Sequence, residues 1–364
     1  MTTTTSVPCT GKPERSDGAE RGVSLLEHDA YVKRGVSQLP SEQDDHVERG
    51  VSAPSQHIPH DLLRNIRTVI AHGREEGPCA DGLAAALIVR DVLPDVAVRF
   101  VTYESAEHRQ LVPEPGVLFV DIAPVPDRVE DWLAADAIVL DHHRSARDVA
   151  QRFEVVGHGV YSEEPGLSAA TLAYREVWSH LAPLRCTFFI ERFASLAGVY
   201  DTWQREDPLW EDAAAQTAAL YFYPVDEWLS HRVLIGGPEF RQRMELGPLL
   251  LRKNRDSVRE LVAGAYHFIT GTGTRVAVLP STFLISDAAD AVSNVDVVAG
   301  FSFRVRQGMP SMKVSFRSRG PHLVRAIAEA LGGGGHDRAA SAWLELHESH
   351  RHPYQVIRTI MEAW

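Results

Sequence analysis

Four short runs limit what this chain can fold into: Thr68–Ala71, Val96–Val101, Val117–Val120 and Ala137–Leu140. Each has strand length and is apolar along nearly its whole course, as strands are when both faces of their sheet are covered. A helix-like segment, Asp81–Val92, with Ala84, Leu87 and Ile88 on one face, lies between the first two runs. Another, near Arg128–Ala134, precedes the fourth. This alternation predicts an α/β domain built on a parallel sheet with helices on both faces. Ligands bind beyond the carboxyl ends of the strands in such sheets. The residues that follow each run are therefore the ones to read for chemistry.

The first run ends at His72, the third at Asp121, and the fourth at Asp141, followed by His142 and His143. A single capping Asp or stray His is ordinary, but three strand ends with oxygen or imidazole donors is not. Asp81 at a helix start and Asp201 in "GVYDTW" add two further carboxylates. Without paired cysteines, this donor set suits manganese or magnesium, with iron and zinc also open. Carboxylates crowded on one rim repel each other unless cations neutralise them, and a pair of metal ions is a standard device for attack at phosphorus. The pattern reads as a metal-dependent phosphoesterase.

With these residues in view, the sequence resembles the DHH phosphoesterases, named for the triplet at Asp141–His143. The resemblance runs from about Asp61 to the end of the chain. It is to the compact subgroup that adds a smaller associated domain with a GGGH motif, which includes oligoribonucleases, pAp phosphatases and cyclic-dinucleotide phosphodiesterases. The matching stretches are His72 with "CADGLAAA" (Cys79–Ala86), Asp121 in "FVDIAP", the triplet itself, and Asp201 in "YDTW". The resemblance implies one metal on His72 and Asp121 and a second on Asp81, Asp121, His142 and Asp201, with Asp121 bridging. It further implies that a hydroxide bridging two ions, Mn²⁺ by expectation, attacks phosphorus, with Asp121, Asp141, His142 and His143 as the catalytic set. His143 would face the substrate phosphate. The first motif departs from the family's His-x-x-x-Asp-x-Asp: nine positions separate His72 from Asp81, and Cys79 or Glu76 stands where the first Asp is expected. A thiolate there would bias that position away from manganese.

The C-terminal part carries "AEALGGGGHDRAAS". A helix over Pro321–Leu331 is stopped by Gly332–Gly335, whose successive N–H groups can form an anion-binding nest. Before it, "FSFRVRQGMPSMKVSFRSRG" reads as a hairpin turning at Gln307–Ser311. Period two places Phe301, Phe303 and Val305 on one side and Arg304 and Arg306 on the other. On the returning strand, Lys313, Ser315 and Arg317 face away from the core. By the resemblance, Arg317, Gly333, Gly334, Gly335 and His336 grip the substrate together with His143. The expected organisation is a tail at 1–57, a DHH domain at 58–250, a helical linker at 251–264 and a smaller α/β domain at 265–364. The active site would lie in the cleft between the two domains.

Charge narrows the partners. At −12 the chain is unlike a protein that coats long nucleic acid, so short RNA or DNA oligonucleotides or small nucleotides are the expected substrates. No apolar run is long enough to span a membrane, the first residues lack a signal-peptide core, and three scattered cysteines suit a reducing cytoplasm. A homodimer is compatible with the sequence. The tail repeats ERGVS, KRGVS and ERGVS at Glu20–Ser24, Lys33–Ser37 and Glu48–Ser52, either as a docking motif for a partner or as a segment without function. "LHESHRH" (Leu346–His352) reads as a solvated loop, and Trp203 and Trp210 as core. Two other functions stay open: a pyrophosphatase or polyphosphatase, and a nucleotide-binding regulator with an impaired metal site.

Overall fold

The apolar strands form a five-stranded sheet, parallel throughout, in the computed structural model of the chain. Its strands are β1 (Thr68–His72), β2 (Ala97–Val101), β3 (Val117–Val120), β4 (Ile138–Asp141) and β5 (Gly159–Tyr161), ordered β2-β1-β3-β4-β5. Alternate residues of the same strand enter different cores. Val69, Ala71, Leu118, Val120, Ile138 and Leu140 face one; Ile70, Phe119 and Val139 face the other. The sheet is thus covered on both sides, which is why its strands read as apolar rather than alternating. The first core is the larger and is capped by α1 (Ala80–Val92), and it includes the buried indoles of Trp178 and Trp228.

The structure describes residues 58–364 except 74–76, 104, 186, 231–232, 307, 320–321 and 347–351, and it leaves out the side chains of Arg306 and His336. The repeated tail, Glu76 and most of "LHESHRH" therefore lie outside the described residues. Ser55–Trp364 forms one compact unit that contains both sheets.

After β5 the chain is helical. α2 (Ala169–Leu172) continues directly into a π-helical stretch, Ala173–Trp178, and α3 (Phe188–Asp201) ends on one of the expected site residues. The segment read from sequence as a linker at 251–264 is the greater part of a longer helix, α4 (Gly247–Ala263), which packs on the helix Trp210–Phe222 and on α5 (Ile285–Ala291).

The second sheet has six strands: β6 (Tyr266–Ile269), β7 (Arg275–Leu279), β8 (Val297–Arg306), β9 (Met309–Ser318), β10 (Gly334–His336) and β11 (Ala339–Glu345), ordered β10-β11-β9-β8-β7-β6. Only β7 and β8 pair in parallel. The expected turn at Gln307–Ser311 is tighter than the sequence suggested, since Arg306 already pairs with Met309 and Gly308 takes φ +80°. The hairpin also outruns its core: Phe301 is buried, but Phe303 and Val305 are exposed. The glycine run is a turn and an edge strand together. Gly334 and Gly335 pair with Ser341 and Ala340 of β11, a strand the sequence did not reveal. A Cβ at Gly333 would lie 2.2 Å from the Ser341 carbonyl oxygen, so only glycine lets the chain cross β11 there.

Arg205 ties the two sheets together. Its guanidinium lies against the rings of Trp203 and Trp210, which touch each other edge to face, and forms ion pairs with Asp290 (3.2 Å) and Asp287 (3.7 Å) of α5. No helix among the described residues is long and apolar enough to cross a membrane.

Gly82, in the first turn of α1, sets how closely that helix meets β1. A Cβ there would sit 2.9 Å from the His72 carbonyl oxygen and 3.2 Å from Asp121 Oδ2. Gly→Ala inside a helix usually stabilises by about 1 kcal/mol, whereas overpacking costs roughly 1–3 kcal/mol. Thermal melting should show Gly82→Ala lowering Tm. Gly77→Ala, where the added Cβ would meet nothing within 4 Å, should leave it within a degree or two.

Candidate metal centre

Sheet register creates the site. Ala71 pairs with Val120 and Val120 with Leu140, so the next row across the sheet is His72, Asp121 and Asp141. At Asp121 the backbone swings to φ 61°, a left-handed conformation that Asp tolerates better than most residues. This bend ends the strand and places the carboxylate among imidazoles. Asp121 is 1 % exposed. Its Oδ1 lies 3.3 Å from His142 Nε2 and 3.6 Å from His143 Nδ1, and its Oδ2 lies 3.5 Å from His72 Nδ1.

Asp141 does different work. Its Oδ1 accepts the backbone N–H groups of His142 (2.7 Å) and His143 (2.9 Å) and lies 2.9 Å from His143 Nδ1. The carboxylate therefore fixes the turn that follows β4 and orients the His143 ring. His142 points the other way, with Nε2 3.2 Å from Asp201 Oδ2 and 3.9 Å from Asp81 Oδ2. Asp81 is buried at the start of α1. Its oxygens accept Ser168 Oγ (2.6 Å) and the backbone N–H groups of Ala169 (2.7 Å) and Ala170 (3.0 Å).

The loop after β1 brings in one more donor. Gly73 takes φ +130°, and a Cβ on it would collide with Pro78 and Cys79. The chain doubles back there, and the Cys79 N–H donates to the His72 carbonyl oxygen at 3.2 Å. This fold-back absorbs the long spacing between His72 and Asp81. Three groups of ligand-capable atoms result, each within 4.8 Å: His72, Cys79 and Asp121; Asp121, His142 and His143; and Asp81, His142 and Asp201.

The electrostatics of this cluster call for cations. Burial, then the charges of Asp201 and Asp121, push Asp81 up to about 8, although His142 and Ser168 pull the other way. Burial likewise raises Asp201. For Asp121 burial also acts upward, but the contacts with His142 and His72 outweigh it and hold the group well below the usual carboxylate range. Burial alone would lower both His142 and His143. The Asp121 contact and the neighbouring carboxylates instead raise His142 to about 10, and Asp141 and Asp121 raise His143 to about 9. Three buried atoms of the cluster, His72 Nδ1, Asp121 Oδ2 and Asp141 Oδ2, have no hydrogen-bond partner. Oxygen and imidazole donors with orphaned, mutually facing atoms fit divalent metal ions.

A cleft of about 410 Å³ opens beside His142. Arg144, Glu163 and Thr202 line it from the first sheet's side; Arg325, Gly335, Asp337 and Arg338 line it from the second. Arg144 spans the gap, with Glu163 at 3.3 Å and Asp337 at 3.5 Å. Glu163 is also held by Arg147 and by the Tyr161 hydroxyl.

His72, Asp81, Asp121, Asp141, His142, His143 and Asp201 thus converge, and Cys79 joins them. Gly335 reaches the cleft. Arg317 faces away from the core that holds Phe316, as the strand period implied, but α5 covers that side: Nε donates to Ser286 Oγ (2.8 Å) and Nη1 to the Phe316 carbonyl oxygen (2.9 Å). The sequence reading missed Arg144, Ser168, Arg325 and Arg338. Arg144, directly after the triplet, and Arg338, two residues beyond the glycine-rich His336, carried a positional signal.

No protein-family profile and no curated protein matches the chain. Among solved structures it is similar to a pGpG-specific phosphodiesterase from Vibrio cholerae (TM-score 0.40, 13% identity, 81% of this chain and 99% of that one). It is also similar to an exopolyphosphatase-related protein from Bacteroides fragilis (0.40, 11%, 83% and 94%). A third is the DHH domain of a protein described as a member of a family of ribosomal proteins (0.49, 14%, 83% and 87%).

Filling the centre with a divalent ion requires neutral His142 and ionised Asp81, the reverse of their metal-free tendency near pH 7. Calorimetry of Mn²⁺ binding in buffers of different ionisation enthalpy should therefore show proton release, and apparent affinity should rise with pH between about 6 and 9. A heat independent of buffer would contradict the protonation pattern described above.

Proposed function

We propose that this chain, a DHH-family protein in its motifs and its fold, is a metal-dependent phosphoesterase that hydrolyses short oligonucleotides or small nucleotide phosphodiesters. The observation that carries the reading is an acidic and imidazole cluster with an arginine-lined cleft opening beside one of its members, His142.

His72 and Asp121 would hold one divalent ion and Asp81, Asp121, His142 and Asp201 a second; such ions neutralise the carboxylates and lower the pKa of the attacking water. The remaining steps belong to the chain's own groups. Arg144, Arg325 and Arg338 offer guanidinium N–H groups suited to bidentate contact with phosphate oxygens. Their present partners, Glu163 and Asp337 for Arg144 and Glu329 for Arg325, hold those side chains near the cleft before substrate arrives. His143 is oriented by Asp141, so its ring can donate a hydrogen bond to a phosphate oxygen. A cleft of this volume suits a small ligand and matches the negative charge of the chain in favouring short substrates over long ones.

The test is hydrolysis of a labelled RNA dinucleotide with Mn²⁺, with inorganic polyphosphate as a parallel substrate. Dinucleotide turnover is expected. Losing several kcal/mol of metal-dependent stabilisation should lower it at least about a thousandfold in Asp121→Asn and in His142→Ala. Arg338→Ala should instead raise KM about 10- to 100-fold, as expected for loss of one charge-assisted contact. Turnover of polyphosphate alone would overturn the substrate class. Dinucleotide binding without turnover of either substrate would overturn the enzymatic reading.

A further inference from the structure

The two expected metal positions are not made of the same chemistry. The group Asp81, His142 and Asp201, with Asp121 beside it, offers only carboxylate oxygen and imidazole nitrogen. The group His72, Cys79 and Asp121 offers one nitrogen, one oxygen and one sulfur, all within 4.8 Å. We propose that the centre is asymmetric by design of its ligands: His72, Cys79 and Asp121 form a thiolate-containing position for a soft divalent ion of the zinc or ferrous class. The neighbouring position takes a harder ion such as Mn²⁺. This inference rests on the metal-centre reading above and specifies its metals.

Three features support it, the first of them independent of the cysteine itself. Asp121 is 1 % exposed, yet its Oδ2 has no hydrogen-bond partner, and the equally unpartnered His72 Nδ1 lies 3.5 Å away. A carboxylate oxygen and a ring nitrogen that face each other in a buried site without hydrogen bonds mark a place for a ligand. The fold-back at Gly73 and the hydrogen bond from the Cys79 N–H to the His72 carbonyl oxygen hold Cys79 at that place rather than elsewhere in the loop. Cys79 is also a free thiol. It would bind by losing its proton to solvent as the sulfur–metal bond forms, with no change of oxidation state. Thiolate ligands favour thiophilic ions, whereas an all-oxygen and nitrogen set suits manganese and magnesium.

Cobalt(II) reports sulfur ligation directly, without substrate. The full chain, stripped with a chelator, is titrated with Co²⁺ and followed by absorption. The expected result is a near-ultraviolet thiolate-to-cobalt charge-transfer band that saturates at one ion per chain. Cys79→Ser should abolish that band while visible cobalt absorption from the second position remains. Cys79→Asp should abolish it too and raise tightly bound Mn²⁺, counted by electron paramagnetic resonance, from one to two per chain. If Cys79→Ser fails to fold, judged by circular dichroism, Cys79→Asp carries the test alone. No band in the wild type, a band that persists in either variant, or an unchanged Mn²⁺ count in Cys79→Asp would each overturn the proposal. The outcome separates from that of the phosphoesterase reading: turnover without the band removes only this inference, and the band without turnover removes only the activity.

Discussion

Everything at the site depends on keeping one carboxylate, Asp121, ionised out of contact with water. Burying a lone carboxylate costs several kcal/mol unless opposite charge and hydrogen bonds replace its hydration. Here His72, His142 and His143 surround it, and the strand order delivers all three. Two come from the turn after β4 and one from the end of β1, on either side of β3. The left-handed bend at Asp121 lets its carboxylate meet imidazoles from both neighbours. A strand that continued straight would have no reason to present that side chain to either.

Much of this was legible in the sequence, for a definite physical reason. Strands covered on both faces are apolar throughout, so the points at which they stop, at His72, Asp121 and Asp141, stand out sharply. A polar residue directly after such a run must lie at the sheet's edge, and neighbouring parallel strands share that edge. Asp81 and Asp201 could be placed only by resemblance, because helix ends meet through tertiary packing that no local pattern encodes. Ser168 was invisible for the same cause: its hydrogen bond to Asp81 crosses 87 residues. The second sheet was harder still. β11 hides behind small residues, and the glycine run pairs as an edge strand although glycine favours no regular element. Arg317 misled because strand period predicts a side, whereas α5 covers the side that the period marked as solvent.

The cleft divides labour between the two sheets. The first supplies the rigid acidic floor. The second supplies Arg325, Gly335, Asp337 and Arg338 from a helix and the glycine-rich turn. Arg144 belongs to the floor yet pairs with Asp337 across the gap, and Arg205 also pairs across to α5 through Asp287 and Asp290. Arg205 follows Asp201 by only four residues. The anchor between the sheets and one of the acidic site residues therefore lie at the same helix end.

Gly82 shows what holds the acidic floor so firmly. With no room for a side chain, the start of α1 rests directly on the main chain of His72 and against Asp121. The separation of the site's carboxylates is thus fixed by backbone against backbone rather than by side chains choosing among rotamers. Rotamers exchange on the picosecond-to-nanosecond scale; a helix seated on a strand does not. The backbone frame that carries the ligands is therefore as durable as the fold itself.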